Sequence, residues 1–549
     1  MTVAAAVIDA LQANDVRTIF GIPGKQTLPL NRAVDATDDV RFVMARNETA
    51  VSHQAWGYAE SSGKVAATLV IPGPGDLHAA NGLKNALNDN TPLVHLAVET
   101  EPAIRGGDGI HETPPETYDT VVKANVTVET PESTVAELQR AIDLARTHPK
   151  GPVRVGIPKN FLKMDVPVAR PDPGKVPTPP APSQADLADA LDLLAAADRP
   201  VIVAGGGVRA SGAEASLRTL AERLDAPVVT SYKGKGTFPE THDRSAGVAW
   251  SGASPALRDL LAEADLALGI GTDFDAVWTA NWSLPMPETL IHVTMDPADL
   301  GTGYDPTVGI VADADATIQA FLDSLEQATT DGATRAAAVR DDERARLDLL
   351  REDDDPPLTS VAALTAVSET LPEDAIVTAD AGGSRIWTLV THATERPRHY
   401  VNVGSWASMS TSLPSAVGAS VANPDVPVVA LAGEGGFLMT VHELQTLAAE
   451  DLDVTAVVFN NNDYAIISEE AERSYGVDRG AFELDEETMD VVAVAEGMGV
   501  PARRATTPAE IRSELAALLD REGPALLEVP TDPHEPQASE WMTADEPTR

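Results

Sequence analysis

Short runs of consecutive apolar residues recur along the chain, and stretches whose apolar positions return every three or four residues lie between them. Continuous apolar runs belong to strands buried on both faces, and the stretches between them supply covering helices. The first series predicts a helix over 2–13 and strands over 18–20, 40–44, 65–71 and 91–98. Helices are expected from the end of the second strand through Tyr58 and over 77–87, with 72–75 as a loop, and 151–159 closes the series as a strand. The Pro-rich 167–182 has little helix or strand capacity and reads as a linker. A second series follows with a helix over 187–196, strands over 201–204, 226–230, 266–269 and 289–295, and a Gly turn at 205–207 before a helix over 213–224. The charged, helix-prone 326–356 breaks at Asp353-Asp354-Asp355-Pro356-Pro357 and is expected to be a second linker. The third series has strands over 375–378, 400–403, 428–432, 454–459 and 525–529, with helices between, and 531–549 is expected to be a loose tail or a lid. The predicted class is α/β, with three doubly wound parallel-sheet domains over 1–166, 184–328 and 358–535.

A chain of 549 residues is too long for one core, which agrees with several domains. The 84 acidic residues against 40 basic ones give a formal charge of −44, which argues against nucleic acid as a partner. Apolar periodicity from end to end opposes disorder, so salt adaptation is the better explanation. At molar salt the Debye length falls to ~3 Å and an acidic surface stays hydrated without severe self-repulsion. Every lysine lies at or before Lys235, as expected of a halophile's protein. There is no cysteine, hence no thiol chemistry. The start MTVAAAVIDALQANDV carries acids and lacks the basic opening of a signal peptide, and no apolar run is long enough to span a membrane, so a cytoplasmic location is expected.

Candidate chemistry concentrates in 426–467. A strand, Gly433-Glu434-Gly435-Gly436 as a turn, a helix and a second strand ending at Asn461 place Glu434 and Asn461 at one sheet edge, where open α/β sheets bind ligands. One carboxylate and one amide oxygen are hard ligands, too few to hold Mg²⁺ without phosphate oxygens and water. This segment resembles the Gly-Asp-Gly to Asn-Asn motif of the thiamine diphosphate-dependent enzymes, with Glu434 in the Asp place and a separation of 461 − 434 = 27. The resemblance implies thiamine diphosphate and Mg²⁺ as cofactors, Glu434 and Asn461 as side-chain metal ligands, Asp463 as a ligand through its carbonyl, and Gly435 and Gly436 against the diphosphate. It also implies that Gly382, Gly383 and Ser384 contact the diphosphate at a helix start. Ala407 and Met409 would lie beneath the cofactor, Met409 holding its two rings bent.

The N-terminal order of FGIPG, RNET, PGPG and NALNDNTPLV is similar to the pyrimidine-binding domain of the acetolactate synthase and pyruvate oxidase branch. By that likeness Gly24 and Pro74 contact the cofactor and Glu48 hydrogen-bonds N1′ of its aminopyrimidine. Thiazolium C2 must lose a very weakly acidic proton, and a carboxyl that shares a proton with N1′ lets the 4′-amino group act as the base. Ile110 and His111 replace a Phe-Gln pair near the substrate, where a histidine can act as acid or base. In the middle domain the family's flavin segment reads Gly271-Thr272-Asp273-Phe274-Asp275, without its two arginines, which makes FAD doubtful. The resemblance covers about residues 1–535. It implies a small-molecule 2-oxo acid substrate, an acetolactate synthase-like carboligase, and a homodimer or homotetramer with sites between chains. The alternatives are a non-oxidative decarboxylase of benzoylformate or pyruvate type, a pyruvate oxidase, and, more remotely, a non-catalytic binding homologue. After Asn461 the chain departs from the synthases, so the acceptor pocket is expected to differ.

Overall fold

The computed structural model describes residues 1–167, 178–351, 356–484 and 489–547. Three six-stranded sheets follow one another, and every strand pair in them is parallel. The first has the order β2-β1-β3-β4-β6-β5. Its strands are β1 (Thr18–Gly21), β2 (Arg41–Met44), β3 (Ala66–Val70), β4 (Leu93–Glu99), β5 (Ala124–Thr127) and β6 (Val153–Pro158). The second, β12-β11-β10-β7-β8-β9, uses β7 (Pro200–Ala204), β8 (Val228–Ser231), β9 (Ser245–Ala249), β10 (Leu266–Ile270), β11 (Leu290–Thr294) and β12 (Val308–Val311). The third, β14-β13-β15-β16-β18-β17, uses β13 (Ile376–Ala379), β14 (Tyr400–Asn402), β15 (Val428–Gly433), β16 (Val454–Asn460), β17 (Ala502–Arg504) and β18 (Ala525–Pro530). Central strands such as β3, β4 and β16 are buried at every position, which is why their sequences are apolar without alternation. Helix starts follow the caps: Thr2, Asn47, Ser183, Thr359 and Thr507 each accept a backbone N–H of their own first turn.

Four local expectations are corrected. Pro74 and Gly75 are not loop but the first turn of the helix Pro74–Asn88, with proline at a position whose N–H has no helical partner. Glu434, Gly435 and Gly436 are likewise helical, in Glu434–Thr440, and tertiary neighbours leave room for no side chain at either glycine. A Cβ on Gly435 would lie 2.5 Å from the Tyr464 ring, and one on Gly436 would lie 2.4 Å from Asp380 Oδ2. Most of the charged second linker is a helix, Gly332–Arg351, which buries Val339, Leu347 and Leu350; its Asp353-Asp354-Asp355 lies outside the described residues, as does 168–177 of the first linker. The tail is docked rather than loose: Ala538–Thr543 is a helix that buries Trp541 and Met542, and Trp541 Nε1 donates to the Arg346 carbonyl at 3.2 Å.

The first and third sheets meet through two helices, Glu48–Ser62 and Ser412–Ala422. They cross at glycines. A Cβ on Gly57 would meet the Ser415 carbonyl at 2.4 Å, and one on Gly418 the Gln54 carbonyl at 1.9 Å. One apolar cluster accordingly runs through both units, from Phe20 and Trp56 to Val417 and Leu526. The helix that begins at Glu48 is therefore held by the unit that carries Glu434.

Candidate active site

At the third sheet, β15 and β16 are adjacent and in register, with Gly433 beside Phe459, so the residues just past their ends converge. Glu434 is 3% exposed. Its Oε1 accepts the Asp463 N–H at 3.1 Å and its Oε2 the Asn461 N–H at 3.4 Å. Asn461 Oδ1 also accepts the Asp463 N–H, at 3.1 Å. Burial pushes the Glu434 carboxyl up to about 7; backbone N–H groups oppose this, and the Asp463 carboxylate adds to it. A carboxylate in these surroundings gains from a cation. Among the described residues no three His, Asp or Glu side chains converge on one point, so a metal at Glu434 has to draw on amide, carbonyl and phosphate oxygens. The donor set is hard and fits Mg²⁺.

A second group lies at the end of β13, the strand beside β15. Gly382 has φ +122° and a Cβ there would meet nothing within 4 Å, while at Gly383 only Ile466 comes near. These two residues open the helix Gly383–Thr391, and the buried Ser384 Oγ has no hydrogen-bond partner. Free N–H groups at a helix start, room above two glycines and an unpartnered hydroxyl fit a diphosphate. Asp380, which sequence reasoning passed over, organises the floor. Its carboxylate accepts from the N–H groups of Ala381, Ser410 and Thr411, and burial raises it to about 6. That fixes the loop carrying Ala407 (φ +46°) and the half-buried Met409.

Glu48 stands apart from that pair of groups, at the start of its helix after β2, with its side chain 17% exposed. A Cβ on Gly75 would lie 3.2 Å from Glu48 Oε1, and Oε2 is 3.2 Å from His78 Nδ1. His78 was not foreseen; it lies thirty residues from Glu48 in sequence, and only the packing of two helices brings them together. The Thr49 hydroxyl, donating to the His78 carbonyl at 3.0 Å, pins that packing. Gly24 sits under Ile71, whose Cγ2 a Cβ there would meet at 2.1 Å, and its N–H donates to Thr27 Oγ1. His111, with φ +63°, lies against Gly73 and lines a cavity of about 470 Å³ with Arg105 and Glu99. The structure thus gathers Glu434, Asn461 and Asp463 together, Gly382 to Ser384 with Met409 nearby, and Glu48 and Pro74 on a different domain.

A crevice lies beside the middle domain, lined in part by Gly271, Thr272, Asp273 and Asp275. Its volume is about 160 Å³, below the ~300–1,000 Å³ of typical ligand pockets. Asp273, Asp275, Asp296 and Asp299 line it, and burial followed by the Asp275 and Asp299 carboxylates pushes Asp273 up to about 7. Lys150, Arg209, Lys233 and Arg398 line it as well, so charges of both signs meet there. The expected turn at 205–207 is instead a cap at Gly205 and the start of the helix Gly206–Ser211, tightly packed: Gly207 N–H donates to the Gly271 carbonyl at 2.8 Å, and a Cβ on Gly207 would lie 2.6 Å from Gly271 Cα.

Family models place this architecture. Residues 1–121 match the N-terminal TPP binding domain of thiamine pyrophosphate enzymes, 187–321 the central domain and 380–529 the C-terminal TPP binding domain. Relatives align over nearly the whole chain. The probable acetolactate synthase large subunit of Methanocaldococcus jannaschii is 31% identical over 97% of this chain and 92% of its own length, as is that of Methanococcus aeolicus. The isozyme 1 large subunit of Escherichia coli is 28% identical over 97% and 94%. Open parallel sheets, a carboxylate and an amide at adjacent strand ends, and three family domains in order all agree: the chain belongs to the thiamine pyrophosphate-dependent enzymes, on their acetolactate synthase branch.

Proposed function

We propose that this protein is a thiamine diphosphate- and Mg²⁺-dependent carboligase that joins a decarboxylated 2-oxo acid to a second 2-oxo acid. The observation that carries the proposal is the convergence of the buried Glu434 carboxylate with Asn461 and Asp463 at adjoining strand ends, with an open helix start at Gly382 and Gly383 after the next strand, β13. Bound thiamine diphosphate supplies a carbon nucleophile and an electron sink beside the carbonyl of the 2-oxo acid. The protein's part is to bind, orient and move protons. Glu434, Asn461 and the Asp463 carbonyl hold the metal, and the N–H groups of Gly382 and Gly383 with the Ser384 hydroxyl take the diphosphate. Glu48 holds a proton at N1′ of the aminopyrimidine, in line with its short approach to Gly75. Gly24 and Pro74 line the pyrimidine end, and Met409 with Ala407 supports the cofactor from below. His111, which lines its cavity, would exchange a proton with the substrate.

We further propose that two chains build each site, in a homodimer or a homotetramer. Met44, Leu77, Trp406, Met439 and Ile467 are exposed, and each neighbours a segment that carries a site residue. Apolar groups around a site in this way mark a surface for a second copy. The segment Gly271 to Asp275, which lacks the family's two arginines, supports a flavin-free enzyme; protein purified from cells should carry no flavin absorbance, and FAD should leave turnover unchanged. A cytoplasmic, salt-adapted enzyme fits the −44 charge. The deciding experiment follows CO₂ and organic product from 2-oxo acids with thiamine diphosphate and Mg²⁺ at high salt. A branched hydroxy-oxo acid is expected; free aldehyde as the main product would make the protein a decarboxylase, and no CO₂ from any 2-oxo acid would overturn the proposal.

A further inference from the structure

Glu443 has no part in the roles assigned above, yet its side chain is 0% exposed. It ends the turn Val441–Glu443 that continues the Glu434 helix. Its Oε1 accepts the backbone N–H of Arg46 at 2.9 Å. Its Oε2 accepts from Gln54 Nε2 at 2.7 Å and from Thr446 Oγ1 at 2.6 Å. Arg46 lies two residues before Glu48 and Gln54 lies on the helix that Glu48 begins, so one carboxylate from the third domain holds the chain on both sides of Glu48. The Arg46 side chain reinforces the grip by donating to the Gln445 carbonyl at 3.3 Å. An apolar contact could hold two domains together at lower desolvation cost; a buried carboxylate with both oxygens engaged adds direction.

We propose that Glu443 is a positioning residue that sets how Glu48 is presented to the cofactor, acting through the Arg46 N–H and Gln54. The proposal rests on the two-chain site proposed above, and in that arrangement it has a further consequence. Glu434 and Glu443 share one segment, while Glu48 of that chain serves the other site. The clamp therefore joins the metal cradle of one site to the proton-carrying glutamate of its neighbour.

The test compares Glu443→Met, which keeps bulk and loses both acceptors, with Glu443→Gln. Gln54 Oε1 has no hydrogen-bond partner among the described residues, so the Gln54 amide can turn over to meet a glutamine at 443, and that variant should restore the clamp. In the cofactor-free protein, amide exchange over 45–47 is expected to quicken in Glu443→Met and return toward wild type in Glu443→Gln. With cofactor, kcat and proton exchange at C2 should fall by about 10²-fold in Glu443→Met, with KM and cofactor affinity nearly kept, as for a small misplacement of a reacting group. If Glu443→Met does not fold, Glu443→Asp, one methylene shorter, should show the same pattern more weakly. Mixed dimers then locate the defect. Glu443→Met chains should regain activity when mixed with Asn461→Ala chains and not when mixed with Glu48→Gln chains. Recovery with Glu48→Gln instead, or unchanged kcat and amide exchange in Glu443→Met, overturns the proposal. A Glu48→Gln and Asn461→Ala mixture that regains nothing after chain exchange would refute the two-chain site, and the single-variant exchange and kcat data would then decide on Glu443 alone.

Discussion

Two residues carry the most direct consequences. Glu48→Gln keeps shape and removes the proton, so turnover should be abolished while the fold and most cofactor affinity remain. Proton exchange at C2 of the bound cofactor checks it; wild-type exchange in the variant would exclude the role. Asn461→Ala should weaken Mg²⁺ and cofactor together, because an ion that bridges protein and diphosphate couples their affinities. Titration calorimetry that finds the cofactor bound as tightly as before would contradict the metal cradle. The residues legible in the sequence were those whose neighbours lie close in the chain or in a known motif: Glu434 with Asn461, Gly382 to Ser384, and Glu48 at a strand end. His78, Asp380 and Glu443 were not legible. Each works through a partner 30 to 397 positions away, and no periodicity links His78 to Glu48 or Glu443 to Arg46.

Strands buried almost throughout, such as β3, β4, β10, β15 and β16, were legible, and so was β2 despite two exposed residues, whereas β9 was missed although buried at four of its five positions. The edge strand β17 has two exposed arginines, and β12 is half-buried, so neither has a continuous apolar run. The helix Gly332–Arg351 has buried arginines among its charges, and its partners are strand β9, Pro255–Ala262 and Ser360–Thr370, so its packing face is not visible locally. The docked tail belongs to the same class. Glu535 accepts the Ser360 N–H at 2.6 Å, and burial pushes its carboxyl up to about 7. A carboxyl whose folded pKa lies above the ordinary value of 4.5 favours the docked state in its protonated form. Its contribution is whole below about 4.5 and is lost as pH rises through about 7. Tail docking should thus be firmer at pH 5 than at pH 8. Amide exchange over Ala538–Thr543 would report it, and Glu535→Gln should flatten the pH dependence; a profile unchanged by that substitution would assign the lock to other groups.

At the scale of the whole molecule, charge and assembly oppose each other. Each chain carries a formal −44, and two such chains must bring faces together around the sites if each site needs Glu48 from one and Glu434 from the other. The exposed Trp406, Leu77 and Ile467 supply apolar area for that contact, and hydrophobic association does not weaken with salt, whereas repulsion between acidic surfaces does. At ~0.01 M salt the Debye length is ~30 Å, so charges far from the interface repel; at ~1 M it is ~3 Å and only neighbouring pairs are felt. Dimerisation and activity should therefore rise together with ionic strength, and they should do so in KCl and NaCl alike if screening is the cause. The same exchange makes shared sites testable. Inactive Glu48→Gln and Asn461→Ala chains, separated at low salt and combined in equal amounts at high salt, should form mixed dimers in half of the population, each with one whole site, and so recover about a quarter of the wild-type sites. Sedimentation at matched salt checks the first claim; a dimer that persists unchanged at low salt would show that apolar contact alone outweighs the repulsion.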